Sequence, residues 1–395
     1  MHYDFDHMTT RRGSGSVKWD RCPDTDIVPL WVADMDFEAP ACIRQAMQRR
    51  LDHGIFGYNI VPEEAYEAII RWCHKRHAWS PQREWLLYTT GLVPALNAIV
   101  WALQHRYGCA EPLPMMFHTP AYNCFFTAVT NNGARLVASP LRWKPETEYY
   151  TMDFAQMEQQ IEAEGVRLFV LCNPHNPTGR VWNRDELCRL ADICRRHDVI
   201  VVSDEIHCEF VDPALGRPYI PFATVAREYG LRWVTLCAAS KAFNIAGLCF
   251  GYLVVEDPEL RQWVQDGING TETRDVSAFG IAALQGAYTP EGEEWLCQML
   301  DYVYGNSRAF RSTMKEAFPN MPIAVQEGTY LAWVDVSSIS TDTGALAQRL
   351  MDEAKVWVCP GDMYGRSGFL RINLATQRQR LAEGTHRLVQ GLLNS

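Results

Sequence analysis

Between residues 84 and 255 short apolar runs alternate with amphipathic stretches, and few architectures accept such a pattern. Seven runs read as strands: Trp85–Tyr88, Met115–His118, Leu136–Ala138, Arg167–Cys172, Val199–Ser203, Trp233–Leu236 and Leu248–Val254. Helical patterns fall between them, near 92–104, 121–132, 154–164, 184–196 and 220–228. Strand–helix alternation of this kind predicts an α/β fold, a mostly parallel sheet with helices on both faces. The runs RLFVLC (167–172) and VIVVS (199–203) are apolar apart from Arg167 and Ser203, as strands buried on both faces are.

Outside this region the pattern changes. Pro40 reads as a first helical position and Gly54 as the stop of the same helix. Tyr66, Ile69, Ile70 and Cys73 form one face of a helix over Glu63–His77. Past residue 290 a long amphipathic stretch (Glu293–Phe318) leads into the strand TYLAWVDV, a helix near 343–354, the strand FLRINLA and a terminal helix near 376–393. The expected organisation is a large domain over 40–290, with a smaller α+β domain built from 1–39 and 291–395.

Thirteen cysteines in 395 residues raise the question of disulfides or metal. The count is odd, no CxxC pair occurs, and the first residues, MHYDFDHMTTRR, hold no apolar signal core. Reduced thiols in a cytoplasmic protein are expected, most of them buried as small hydrophobes, with no metal site. No apolar run approaches the ~18 residues of a membrane span. With 37 basic and 47 acidic side chains the net charge is −10, which argues against a nucleic-acid partner.

Three segments bring polar groups to predicted strand ends, where open parallel sheets bind ligands. They are Asn173-Pro-His-Asn-Pro-Thr-Gly179, Asp204-Glu-Ile-His207 and Ser240-Lys-Ala-Phe-Asn244. A lysine can form a Schiff base with an aldehyde cofactor, an aspartate can keep a pyridine nitrogen protonated, and an asparagine can donate to a phenolate oxygen. Pyridoxal phosphate needs all three. In this order NPHNPTG, SDEIH and SKAFNIAGL resemble the class I/II aminotransferase superfamily of pyridoxal-phosphate fold type I. WVADMDF (31–37), FGYN (56–59), PHNPTGRVW (174–182) and DEIH resemble its cystathionine β-lyase branch, the C–S lyases. The likeness runs from about residue 27 to residue 390.

The resemblance implies roles for individual residues. Lys241 matches the Schiff-base lysine that also moves the Cα proton, and Asp204 the partner of the pyridine nitrogen. Asn176 matches the donor to the cofactor's 3′-oxygen, with His207 nearby, and Tyr122 the aromatic ring stacked on the cofactor. Gly91, Leu92 and Val93 open a helix whose N–H groups suit the phosphate, and Ser240 adds a hydroxyl. Tyr58 matches a tyrosine that reaches the phosphate in a neighbouring subunit, which implies a homodimer with a shared active site. Arg371 matches the arginine that takes the substrate α-carboxylate, and Ala33 the backbone group that closes over it. Three positions depart from the pattern. Cys249 replaces the common phosphate arginine, Ala238 a frequent Ser or Thr, and Ala242 a usual Thr, so weaker phosphate anchoring is implied.

Taken singly, each residue has a plainer reading. Lys241 would be a surface lysine, Asp204 a helix cap, Asn176 a turn residue, His207 a structural histidine and Arg371 a surface ion pair. Tyr122 and Tyr58 would be core aromatics, and Gly91 a loop glycine. Their order along the chain favours the catalytic reading. Removal of the Cα proton serves two reactions. Loss of a thiol from Cβ gives pyruvate and ammonia, whereas return of the proton to the cofactor gives transamination. The DEIH branch favours β-elimination from cystathionine or S-substituted cysteines; the alternatives are an aminotransferase, or a regulatory protein on the same scaffold.

Overall fold

The computed structural model describes residues 2–107 and 111–395. Seven strands form the central sheet: Leu86–Thr89 (β1), Pro114–Thr119 (β2), Arg135–Pro140 (β3), Leu168–Cys172 (β4), Ile200–Asp204 (β5), Trp233–Cys237 (β6) and Gly251–Val254 (β7). Their spatial order is β1-β7-β6-β5-β4-β2-β3. Only β7 runs antiparallel to its neighbours, β1 and β6. The rest of the sheet is parallel. Every residue of β4, β5 and β6 is buried, which is why their sequences show no alternation. Cys172 pairs with Asp204 and Asp204 with Leu236, so the three strands end level and deliver their following loops to one edge.

Helices cover both faces. One face packs Leu96, Ile99 and Leu103 of the helix Leu92–Arg106 against Leu260, Val264 and Ile268 of Pro258–Gly270. There Gly267 approaches so closely that a Cβ would lie 2.2 Å from the Ala98 carbonyl oxygen. The other face is lined by Leu187, Leu190 and Ala191 of Arg184–Arg196. That helix starts with a reciprocal cap between Asn183 and Glu186.

A second sheet holds Leu331–Asp335 (β8), Cys359–Pro360 (β9) and Phe369–Asn373 (β10), antiparallel in the order β8-β10-β9. Its apolar residues join Phe310 and Met314 of the 28-residue helix Pro290–Ala317, Leu346 and Leu350 of Thr343–Asp352, and Leu381 and Leu388 of Arg378–Leu393. Near the other end of the chain, Val28–Pro29 pairs in parallel with Val356–Trp357.

Several boundaries differ from the sequence reading. Pro40 is the cap before the helix Ala41–His53, not its first residue. The seventh strand begins at Gly251 because Ala246–Leu248 form a short 3-10 turn and Cys249 takes a left-handed φ of 51°. Residues Arg142–Lys144 and Tyr149–Thr151 pair as a hairpin that is not among the expected strands. The twelve cysteines among the described residues are free thiols, and six of them are fully buried. Cys109 lies outside the described residues.

Candidate active site

The level ends of β4, β5 and β6 open into a cavity of about 380 Å³. Strand β4 leads to Asn176, β5 ends in Asp204 and leads to His207, and β6 leads through Ala238 to Ser240 and Lys241. Gly91, Leu92 and Val93 line the cavity from the start of their helix, Tyr122 from the cap of the next one, and Arg371 from β10. Ala33 covers it from the N-terminal arm. Tyr58 is the one candidate absent from this lining. It is fully exposed on a segment that also exposes Ile55, Phe56 and Ile60.

Asp204 and Arg371 are buried, Lys241 is half-buried, and all are sparsely partnered. Lys241 donates its ammonium to the Ala33 carbonyl at 2.7 Å, and burial pulls its pKa below the usual lysine value. A lowered pKa makes the ammonium easier to deprotonate, which a nucleophile or proton acceptor requires. Burial also raises the Asp204 carboxyl to about 6, against a single backbone donation from Ile206 at 3.1 Å. Burial lowers His207 to about 3, so its ring is neutral. Its Nδ1 is buried without a hydrogen-bond partner.

Arg371 donates through Nη1 to Asn176 Oδ1 at 3.2 Å and through Nη2 to the Trp31 carbonyl at 3.0 Å. Its Nε is buried without a partner, and its guanidinium lies 4.6 Å from the centre of the Tyr364 ring. An arginine fork with an unused buried donor is built to receive a planar anion. The departures at Ala238 and Cys249 also fall on the cavity wall, so neither contributes a charged phosphate ligand. The backbone at Gly91–Val93, at the positive end of a 15-residue helix, and the hydroxyls of Thr90 and Ser240 are donors on that wall.

Sequence reasoning missed Trp31, Cys124, Cys359 and Tyr364, which also line the cavity. It also missed Asn244 and Asn373, which hydrogen-bond to backbone carbonyls of the N-terminal arm; each lies inside a motif already singled out, SKAFN and FLRINLA. A second cluster places ligand-type atoms of His77, Cys208 and Glu209 within 4.8 Å of one another. Both Glu209 oxygens there are already taken, one by Trp72 and His77 and the other by Arg76, so the cluster is closed by its own ion pair. A wider depression of about 820 Å³ beside Cys42, Arg49 and Glu291 has none of the convergent groups described above.

Comparison with known proteins points the same way. The model of the family "Aminotransferase class I and II" matches residues 25–388. The chain is 34% identical to cystathionine beta-lyase PatB of Bacillus subtilis, covering 98% of this chain and 99% of PatB. It is 31% identical to protein MalY of Escherichia coli, over 100% of this chain and 98% of that one. Among solved structures, cystalysin of Treponema denticola, which contains pyridoxal 5′-phosphate, superposes with a TM-score of 0.92. It is 30% identical and each chain is covered in full.

Proposed function

The chain belongs to the class I and II aminotransferase family, and from that premise we propose a pyridoxal-phosphate-dependent carbon–sulfur β-lyase. Its substrates are cystathionine or S-substituted cysteines, and its products a thiol, pyruvate and ammonia. The observation that carries this reading is one cavity lined by Lys241, Asp204, Asn176 and Arg371. The full-length likeness to a cystathionine beta-lyase favours elimination over amino transfer.

The residues fit the cofactor. A buried, unpaired carboxyl at Asp204 suits a protonated ring nitrogen, which would hold it ionised. The orphaned His207 nitrogen and the Asn176 amide suit the ring oxygen, Tyr122 the ring face, and Gly91–Val93 with Ser240 the phosphate. When bound, pyridoxal phosphate supplies an electron-poor ring that takes up the electron pair left on Cα.

The chain's own groups do the rest. Arg371 and Asn176 receive the substrate carboxylate and fix the Cα–H bond toward Lys241. The Lys241 amine removes that proton and, as an ammonium, stands ready to give one to the departing sulfur. The strand of chain over Ala33 keeps water from the reacting carbon.

Three further features belong to this reading. Tyr58 completes the active site of a second copy in a homodimer, which the exposed apolar residues beside it support. The chain divides into a cofactor-binding body, 40–290, and a second unit of 1–39 with 291–395. The pairing of Val28–Pro29 with Val356–Trp357 supports that grouping. A reducing cytoplasm suits the free thiols.

The reading is tested by Lys241→Ala. Turnover should fall by roughly 10²–10⁴-fold or more, and the visible absorption band of lysine-bound cofactor should vanish. An unchanged spectrum with retained turnover would overturn the assignment.

A further inference from the structure

The segment Trp31–Phe37 forms a strap whose first three residues, Trp31, Val32 and Ala33, lie on the cavity wall, and each of its seven carbonyls accepts a hydrogen bond from a side chain. Two of these donors are groups the reaction uses. Arg371 reaches the Trp31 carbonyl and Lys241 the Ala33 carbonyl. Asn373 donates to Val32 at 2.7 Å and to Asp34 at 2.8 Å. Asn244 donates to Met35 at 2.9 Å and to Phe37 at 3.0 Å, and accepts the Met35 N–H at 3.1 Å. Gln377 donates to Asp36 at 2.8 Å. Arg11 also donates to the Met35 carbonyl at 2.8 Å and Lys18 to the Asp34 carbonyl at 2.9 Å, besides pairing respectively with the Asp34 carboxylate at 2.8 Å and with that of Asp36 at 2.7 Å.

The two sets of donors differ in kind. Lys241 leaves the Ala33 carbonyl once it serves the cofactor or the Cα proton, and the Arg371 fork is drawn to the substrate carboxylate, so neither hold on the strap is constant. The carboxamides of Asn244 and Asn373 have no other task in the site. Each also accepts a backbone N–H, Asn373 that of Ala375 at 2.8 Å, which fixes which way its amide points. Asn244 has a left-handed φ of 56°, a conformation that Asn and Asp tolerate better than most residues.

We infer that Asn244 and Asn373 are positioning residues that keep the strap closed over the cavity while Arg371 and Lys241 are occupied with substrate. This rests on the lyase reading for what the cavity takes, but the strap itself can be followed without turnover. Asn244→Asp and Asn373→Asp keep the size, the φ tolerance and the backbone acceptor of each site while removing both donations. In each, amide hydrogen exchange of the 31–37 peptide in the holoenzyme should rise about tenfold, with exchange in β4 and β5 unchanged. KM for cystathionine should rise about tenfold with kcat within about threefold, the pattern of lost binding rather than lost chemistry. Asn244→Gly, which fits the same φ, should reproduce the Asp result and guards against an effect of the new charge.

Strap exchange equal to wild type in the variants would overturn the inference whatever the activity. Faster exchange with kcat and KM both unchanged would overturn it too. If the wild-type holoenzyme released no pyruvate while strap exchange still responded, the lyase reading would fail and the strap assignment stand.

Discussion

At Asp204, burial sets the carboxyl at about 6 against an ordinary 3.8, so the folded chain favours its neutral form. The folded value lies above the unfolded one. Stability from this group is therefore fullest below about pH 4 and is lost as pH rises through about 6. The gap corresponds to a cost on the order of 3 kcal/mol at neutral pH in the cofactor-free protein. Asn at this position keeps the acceptor for Ile206 and carries no charge. Asp204→Asn should therefore stabilise the cofactor-free protein by roughly 3 kcal/mol at pH 8 and by almost nothing at pH 4, while turnover falls. Urea unfolding at the two pH values measures this; equal stability of variant and wild type at pH 8 would contradict it. Most of the residues around Asp204 were legible because they lie in short motifs at strand ends. Asn244 and Asn373 lie in those motifs too, but their partners are backbone carbonyls some 200 to 340 positions away, which no local pattern reveals.

Among the elements, the buried parallel strands were the most readable, because burial on both faces leaves an unbroken apolar run. The least readable were the two-residue strands Val28–Pro29, Val356–Trp357 and Cys359–Pro360, each too short to carry a period and defined only by its partner. The start of β7 was misplaced because Leu248, Cys249 and Phe250 are apolar like a strand, whereas the chain turns through Cys249. The segment after helix Ala41–His53 is unusual in the opposite sense. Ile55 is 68% and Ile60 85% exposed, with Phe56 and Tyr58 between them. Apolar residues clustered on a surface mark an interface, and the proposed homodimer would cover this one and bring Tyr58 to the second copy's cavity. The paired change Ile55→Asp and Ile60→Asp should yield a species of 45.1 kDa in sedimentation velocity, with activity falling as the dimer is lost. A wild-type protein that sediments as a monomer at micromolar concentration would contradict the shared site.

Across the whole molecule, the decisive fact is that β4, β5 and β6 end level. The ends of three strands and the loops that follow thereby place Asn176, Asp204 and Lys241 around one cavity, and β10 of the second sheet brings Arg371 to the same place. The order of the motifs predicted the gathering. The hydrogen bonds that hold the arm around Ala33 could be seen only once the chain was folded, because their donors come from two regions far along the chain. The same gathering would serve amino transfer, since both reactions begin by removing the Cα proton. The most direct measurement is product formation by purified enzyme given cystathionine and no keto acid. Pyruvate, ammonia and thiol should appear in equal amounts over many turnovers. Absence of pyruvate, together with amino transfer that depends on an added keto acid, would contradict the account.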